Sequence, residues 1–267
     1  MKSRNIILVL SSLFIISGCG NFNMKKVPFL DHGSHEEKSR NITQNQKSVN
    51  SNPLTLPASY FNSIKQVNGK NVIQNPSNIM ALVNKNYTLP SNYIPSDLVR
   101  PNVAFSFGNQ KIEKSLMRKE AATALEAMFS DAKKSGIELF AVSGYRSFSR
   151  QESLFDSEIN KFGKSQALQA VAIPGSSEHQ TGLAMDIASN STHLNLTEGF
   201  ALTKEGKWLA ENAHLFGFIL RYPKGKEAIT IYEYEPWHFR YVGVKAATTI
   251  YKHNWTLEEY FNEVKKI

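Results

Sequence analysis

The sequence predicts an α+β fold, in which helices flank a mostly antiparallel sheet. Three observations indicate this class. Helical spacing opens the folded region, a run of short apolar segments typical of strands follows, and two more helical stretches close the chain. Helices and strands that are segregated along the chain in this way favour α+β. The folded region spans about 155 residues, which is enough to bury a hydrophobic core.

The predicted helices have apolar residues at helical spacing or a recognisable start or stop signal. In the first helix, apolar residues between 121 and 132 fall on one face, and Gly136 suits the position just after its end. Ser149 and Glu152 resemble a capping box that opens a second helix, which Gly163 ends. The remaining predicted helices cover residues 165–172, 203–216, 244–252 and 257–265.

The predicted strands are short apolar segments bounded by turn residues. They cover residues 137–142, 184–188, 218–222, 229–232 and 237–242. Two of these strands matter for function, because 184–188 contains an aspartate and 237–242 contains a histidine.

The N-terminus has the features of an export signal. Lys2 and Arg4 precede an apolar run over 6–16, which is shorter than the roughly 20 residues that a spanning helix needs. The Ile-Ser-Gly-Cys sequence ending at Cys19 fits a bacterial lipobox. We therefore expect residues 1–18 to be a lipoprotein signal peptide, with Cys19 lipidated at the extracytoplasmic face of the membrane. The alternative is an ordinary signal peptide with an incidental cysteine.

Composition divides the rest of the chain into three parts. Residues 19–57 are rich in Asn, Ser, Lys and Gln and predict a flexible tether. We expect residues 58–110 to form an irregular segment that wraps the domain edge, and residues 111–267 to form the main folded domain. Cys19 is the only cysteine, so disulfides and cysteine metal ligands are excluded from the folded part. The net charge is +8 without a basic block that would indicate nucleic-acid binding. In an exported protein this charge favours contact with an anionic cell wall; the alternative is that it serves solubility only.

Two short segments carry the candidate catalytic residues. The first contains His179 and Asp186, and the second contains Glu235 and His238. Two histidines and one aspartate around an open fourth position form a catalytic zinc site, and a spare glutamate can act as its base. Asp186 lies in an apolar segment, where its charge needs a partner: either a metal or a structural pairing with Lys, Arg or backbone amides. Pro236 can bend the chain so that Glu235 and His238 face one site.

Arg146 lies between a predicted strand and a predicted helix. Its guanidinium is suited to a substrate carboxylate or a developing oxyanion, and Gln151 in the helix can face the same cleft. The alternative is an Arg146 that pairs with an acidic residue of its own domain.

Three motifs, in order along the chain, resemble those of the VanY-type D-alanyl-D-alanine carboxypeptidases. They are Ser-Gly-Tyr-Arg-Ser, Ser-x-His-x-x-Gly-x-Ala-x-Asp and Glu-x-Trp-His-x-Arg-Tyr-Val-Gly. These enzymes are zinc peptidases related to lysostaphin and the hedgehog domain. The resemblance covers residues 110–255 and implies that fold. It implies that His179, Asp186 and His238 bind Zn²⁺ and that Glu235 is the base.

The resemblance also implies the substrate, a peptidoglycan stem peptide from which the family removes D-alanine. Arg146 would bind or polarise the scissile carbonyl, with Gln151 and Ser177 near the peptide terminus. The sequence does not distinguish cleavage of a D,D bond from cleavage of an L,D bond. Residues 228–232 depart from the Thr-Gly-Ile-like turn expected before the last motif, which affects local strand geometry and not the ligands. We expect a monomer.

Two other functions compete with this interpretation. Ser130 and Lys133 fit the Ser-x-x-Lys motif of serine D,D-peptidases, but the partner motif overlaps them at the end of one helix instead of lying far downstream. That reading is therefore rejected. The other rival is a wall-binding lipoprotein that has the same fold and is catalytically silent. Loss of Glu235 or of a metal ligand would favour it, and none is lost.

Overall fold

The structure, a computed structural model, describes residues 54–267. The predictions for residues 1–18, for Cys19 and for most of the 19–57 tether lie outside the described residues. No helix within 54–267 is long and apolar enough to cross a membrane.

The described residues form short strands, separated by helices and turns. The strands are β1 (Thr55–Leu56), β2 (Ile64–Val67), β3 (Lys70–Ile73), β4 (Tyr87–Thr88), β5 (Leu98–Val99), β6 (Met117–Arg118), β7 (Phe140–Ser143), β8 (Ala184–Ala188), β9 (Phe218–Leu220), β10 (His238–Tyr241) and β11 (Lys265–Lys266). The helices are α1 (Lys119–Lys134), α2 (Phe148–Phe162), α3 (Lys164–Ala170), α4 (Lys204–Asn212), α5 (Glu227–Thr230), α6 (Val244–His253) and α7 (Leu257–Glu263).

The central sheet has the order β7-β8-β10-β9, and all its neighbours are antiparallel. This confirms the predicted fold class. In its register, His238 of β10 lies opposite Asp186 of β8, and Ser143 of β7 also pairs with Asp186. Directly paired residues have Cβ atoms about 4.5–5.5 Å apart. Strand pairing therefore brings together segments that are distant in the sequence.

Helix α1 covers one face of this sheet. Its residues Ala121, Leu125 and Met128 are fully buried and belong to the same core as Met185 and Ile187 of β8. Burying a leucine or methionine side chain contributes about 1.5–3 kcal/mol. The packing of α1 thus fixes the position of β8, the strand that carries Asp186.

The segment predicted as irregular wrapping contains regular structure. Strands β2, β3 and β4 form a small sheet, in which Asn68 and Gly69 make the turn with φ of 49° and 75°. Asparagine side chains satisfy much of the remaining backbone, as Asn62 does by bonding to both N and O of Leu82. These asparagine side chains therefore help to hold the segment in place.

Two local predictions were wrong. Residues 229–232 form no strand; α5 ends at Thr230, and Ile231 is left-handed with φ of 63°. Ile229 and Ile231 are 38% and 41% exposed, so their alternation does not reflect a buried strand face. Helix α2 begins after Ser147, whose hydroxyl accepts from the Arg150 N–H, and Ser149 is already inside the helix.

Candidate active site

Three buried side chains converge where β8 and β10 meet. His179 comes from a 3₁₀ turn, Glu178–Thr181, while Asp186 and His238 come from the paired strands. One donor atom from each lies within 4.8 Å of the other two. The structure thus brings together the three residues predicted as metal ligands.

Both histidines direct one ring nitrogen at Asp186. His179 Nε2 lies 3.3 Å from Asp186 Oδ2, and His238 Nδ1 lies 3.1 Å from Asp186 Oδ1. Donor atoms on a tetrahedral zinc with bonds of about 2.0–2.1 Å are separated by about 3.3 Å. Each histidine nitrogen therefore lies at about this separation from one Asp186 oxygen, and the donor chemistry fits a divalent metal ion such as zinc.

Glycines set the path of the chain around His179. Its Nδ1–H donates to the Gly144 carbonyl over 2.7 Å, which leaves Nε2 free to act as a ligand. A Cβ at Gly144 would collide with the Leu116 carbonyl oxygen, so this close approach requires glycine. Gly182, with φ of 67°, ends the turn in a left-handed conformation and leads the chain into β8.

Glu235 lies at the entrance to the site. The His238 N–H donates to the Glu235 carbonyl over 3.1 Å, and this turn through Pro236 brings Glu235 Oε2 to 3.7 Å from His238 Nδ1. The Glu235 side chain is 29% exposed. Burial raises its pKa to about 7, although the charge of His238 opposes that rise. A carboxyl group with this pKa is suited to proton transfer near neutral pH.

Arg146 follows β7 and reaches toward the same site. Its guanidinium donates to Gln151 Oε1 over 2.8 Å and to Ser143 Oγ over 3.4 Å. Gln151, predicted to bind substrate, is 1% exposed, and its amide donates to the Ala172 carbonyl over 2.7 Å. Burial lowers the pKa of Arg146, and Asp186 and Glu235 oppose that shift. Gln151 thus links the Arg146 guanidinium to the backbone at Ala172, and its role as a substrate-binding residue stays a prediction.

Ser177, the third predicted substrate-binding residue, is buried directly before the 3₁₀ turn that carries His179. The backbone beside it is held by Tyr232, whose hydroxyl donates to the Ser176 carbonyl over 3.0 Å. Tyr232 also packs against Tyr222, which lies 4.9 Å from the His238 ring.

Sequence reasoning missed a charge cluster behind His238, formed by the fully buried Glu178, Arg221 and Arg240 together with the half-buried Glu258. Glu178 Oε1 accepts from Arg221 Nε over 2.8 Å and from an Arg240 guanidinium nitrogen over 2.6 Å. Arg221 also bonds to Glu258 of α7 over 2.6 Å. Burial would raise the pKa of Glu178, but the two arginines hold it well below its usual range. The available signals were the positions of Glu178 and Arg240 inside the two motifs, one residue before His179 and two residues after His238.

A His–Asp–His donor set beside a glutamate and an arginine, built on an antiparallel α+β sheet, defines a metal-dependent hydrolase of the peptidase class. The chain belongs to the VanY family, described as D-alanyl-D-alanine carboxypeptidase, whose match covers residues 114–244. The predicted family and the predicted carboxypeptidase class are confirmed.

Several known proteins are similar over most of the chain. YodJ of Bacillus subtilis (strain 168) is 57% identical, and the alignment covers 86% of this chain and 82% of YodJ. The structure of the LdcB LD-carboxypeptidase is 60% identical with a TM-score of 0.78, covering 80% of this chain and all of LdcB. A variant of the vancomycin resistance D,D-pentapeptidase VanY in complex with Zn(II) is 33% identical with a TM-score of 0.55. The match covers 68% of this chain and 98% of the VanY chain.

Proposed function

We propose that the protein is a zinc-dependent carboxypeptidase that removes the C-terminal D-alanine from peptidoglycan stem peptides. The convergence of His179, Asp186 and His238 beside Glu235 carries this proposal. Similarity to LdcB at 60% identity, against 33% for the D,D-pentapeptidase VanY, favours the L,D bond of tetrapeptides.

Zinc is the proposed ion because two imidazoles and a carboxylate are a ligand set of catalytic zinc sites. His179 would bind it through Nε2, and His238 and Asp186 would bind it from the paired strands. When bound, zinc supplies a Lewis acid and lowers the pKa of a water molecule.

Glu235 transfers the proton in this proposal. Its carboxylate takes one proton from the attacking water, so that the oxygen adds to the amide carbonyl, and returns that proton to the departing amine. A nearby dication favours the charged form of a carboxyl group, so bound zinc would oppose the rise in the pKa of Glu235 that burial causes. The carboxylate is then ionised at neutral pH, as a base must be.

Arg146 is proposed to bind the substrate. Its guanidinium is held by Gln151 and Ser143 and offers charge-assisted hydrogen bonds to a carbonyl oxygen, an oxyanion or the terminal carboxylate. Because Gln151 fixes it beforehand, little ordering is needed when the peptide binds.

We also propose that Cys19 is lipidated and anchors the protein at the extracytoplasmic face of the membrane, close to its substrate. The lipobox-like sequence before Cys19 supports this. Metabolic labelling with an alkyne fatty acid should mark the wild type and not Cys19→Ser. Equal labelling of both would contradict the proposal.

Purified, zinc-loaded protein and defined muropeptides test the activity. Tetrapeptide muropeptides should lose the mass of one alanine, faster than pentapeptides do, and a chelator but not a β-lactam should stop the reaction. Faster trimming of pentapeptides would reassign the specificity to D,D. Stoichiometric zinc without release of alanine would instead support the silent wall-binding lipoprotein.

A further inference from the structure

Glu178 lies against the edge of the His238 ring that faces away from Asp186. Glu178 Oε2 is 3.5 Å from His238 Nε2, while Nδ1 on the other edge of the ring is 3.1 Å from Asp186. The first distance is long for a hydrogen bond, whose usual N···O length is about 2.9–3.0 Å. The interaction is therefore mainly the attraction between a full negative charge and an N–H group.

The position of Glu178 is fixed from behind. Its Oε1 accepts from both Arg221 and Arg240, and the side chains of all three residues are 0% exposed. Arg240 also donates to the carbonyls of Ile79 and Ala81 over 3.0 and 2.9 Å. Oε2 is thus left to face His238, and Glu178 cannot turn away without breaking two ion pairs.

The two histidines use opposite ring nitrogens. His179 donates from Nδ1 to the Gly144 carbonyl, which can only accept, so Nε2 carries the free lone pair. At His238, Glu178 faces Nε2 and Asp186 faces Nδ1, so a proton on Nε2 is the arrangement that leaves Nδ1 with a free lone pair for a metal. Each ligand nitrogen then faces Asp186.

We infer that Glu178 is a positioning residue: it holds His238 in the tautomer and ring orientation that present Nδ1 to the metal. Outer partners of this kind fix the tautomer of a ligating imidazole and raise its basicity, and their loss typically weakens metal affinity by about 10–100-fold. Glu178 contacts His238 at Nε2 and not at Nδ1, the nitrogen proposed to bind the metal. The inference rests on the zinc site of the proposed function, but not on its substrate.

Zinc affinity measured by competition with a chromophoric chelator tests this role. Glu178→Gln should weaken zinc binding by about 10–100-fold, because the amide has no charge to hold the Nε2 proton. The dissociation constant is read without any peptide, so failure of the proposed activity would not affect it. Unchanged zinc affinity in folded Glu178→Gln would overturn the inference.

Glu258→Gln is the matched control. It makes the same change in charge and also removes a partner of Arg221, but Glu258 lies on α7 and does not contact His238. A structural role shared by both glutamates predicts equal losses of zinc affinity. A positioning role predicts a much larger loss for Glu178→Gln than for the control.

A measurement on the wild type covers the case in which Glu178→Gln does not fold. Long-range ¹H–¹⁵N spectra of histidine-labelled, zinc-loaded protein distinguish protonated, free and metal-bound ring nitrogens. His179 should be protonated at Nδ1 and His238 at Nε2. A His238 protonated at Nδ1 would refute the inference, whatever the activity of the protein.

Discussion

Two glutamates of the same chemistry flank the His238 ring and have opposite properties. Glu178 is fully buried between two arginines, 3.5 Å from Nε2, and its pKa is held well below the usual range. Glu235 is 29% exposed, 3.7 Å from Nδ1, and burial raises its pKa to about 7. Environments that shift the pKa values of two carboxyl groups in opposite directions give them different roles. Glu178 stays charged, whereas Glu235 can exchange a proton near neutral pH.

The difference shows how one ring can be held and used at once. Behind His238, two ion pairs fix the position of Glu178 and keep its carboxylate ionised by lowering its pKa. In front, Glu235 has no arginine partner within 4.0 Å among the described residues and stays open to the cleft. Substitutions behind the ring should therefore act on stability and metal binding, and those in front on turnover.

The largest effect is expected from Glu235→Ala. Loss of a positioned general base should lower kcat by about 10²–10⁴-fold, whereas zinc affinity should stay close to that of the wild type. Muropeptide turnover and chelator competition on the same preparation measure both. Full activity in the variant would mean that Glu235 is not the base. Loss of zinc affinity would mean that Glu235, like Glu178, supports metal binding.

The next effect concerns the buried cluster. Arg240→Met should destabilise the protein by about 3–5 kcal/mol, because it removes one of two partners of a buried carboxylate. Arg118→Met is a suitable control, because Arg118 forms a 3.0 Å ion pair with Asp97 that is partly exposed. Such a pair contributes at most about 1 kcal/mol. Denaturant titrations of both variants measure the difference, and equal losses would contradict a special role for the buried cluster.

A smaller effect should appear as pH dependence of the metal-free protein. The pKa of Glu235 is raised from 4.5 to about 7, so the folded state binds its proton more tightly than the unfolded state. The resulting stability is complete below pH 4.5 and is lost as pH rises through about 7. A shift of this size corresponds to at most about 3 kcal/mol.

The matched variant for this pH effect is Glu235→Gln, which has no proton to lose. Between pH 5 and pH 8 it should gain stability relative to the wild type when zinc is absent. Urea titrations at several pH values give the comparison. Parallel curves for the two proteins would mean that Glu235 does not titrate in the raised range.

The sequence predicts the metal ligands and the base better than the charged residues behind His238. His179, Asp186, Glu235 and His238 lie in two compact motifs, so their roles follow from residue type and spacing. The orientation of Glu178 depends on its ion pairs with Arg221 and Arg240, which are 43 and 62 residues away in sequence. No local sequence pattern indicates those pairings.

The same distinction between local and distant contacts holds for the fold. Helix α1 has a periodic apolar face and was predicted correctly, because its spacing alone places it on the core. Residues 229–232 alternate apolar and polar side chains but form no strand. Nearby, Tyr232 is tied to Ser176 and Tyr222, contacts that residue spacing does not encode.

The smallest effect tests the position of Gln151. Its Oε1 accepts from Arg146 over 2.8 Å, and a hydrogen bond to a charged group contributes about 1.5–3 kcal/mol. Gln151→Ala should therefore lower kcat/KM by about tenfold, the lower end of that range, because Ser143 Oγ still contacts the guanidinium. Glu152→Ala, at the next and exposed position of α2, should leave kcat/KM unchanged.

A double-mutant cycle decides whether Gln151 acts through Arg146 or touches the peptide itself. If it only holds the guanidinium, Gln151→Ala should have almost no effect in an Arg146→Lys background, because the geometry it maintains is already lost. If it binds the substrate terminus, as the sequence predicted, the two losses should add. Additive losses would place Gln151 on the substrate side of the cleft with Glu235, and a vanishing second loss would group it with Glu178 as a residue that positions another.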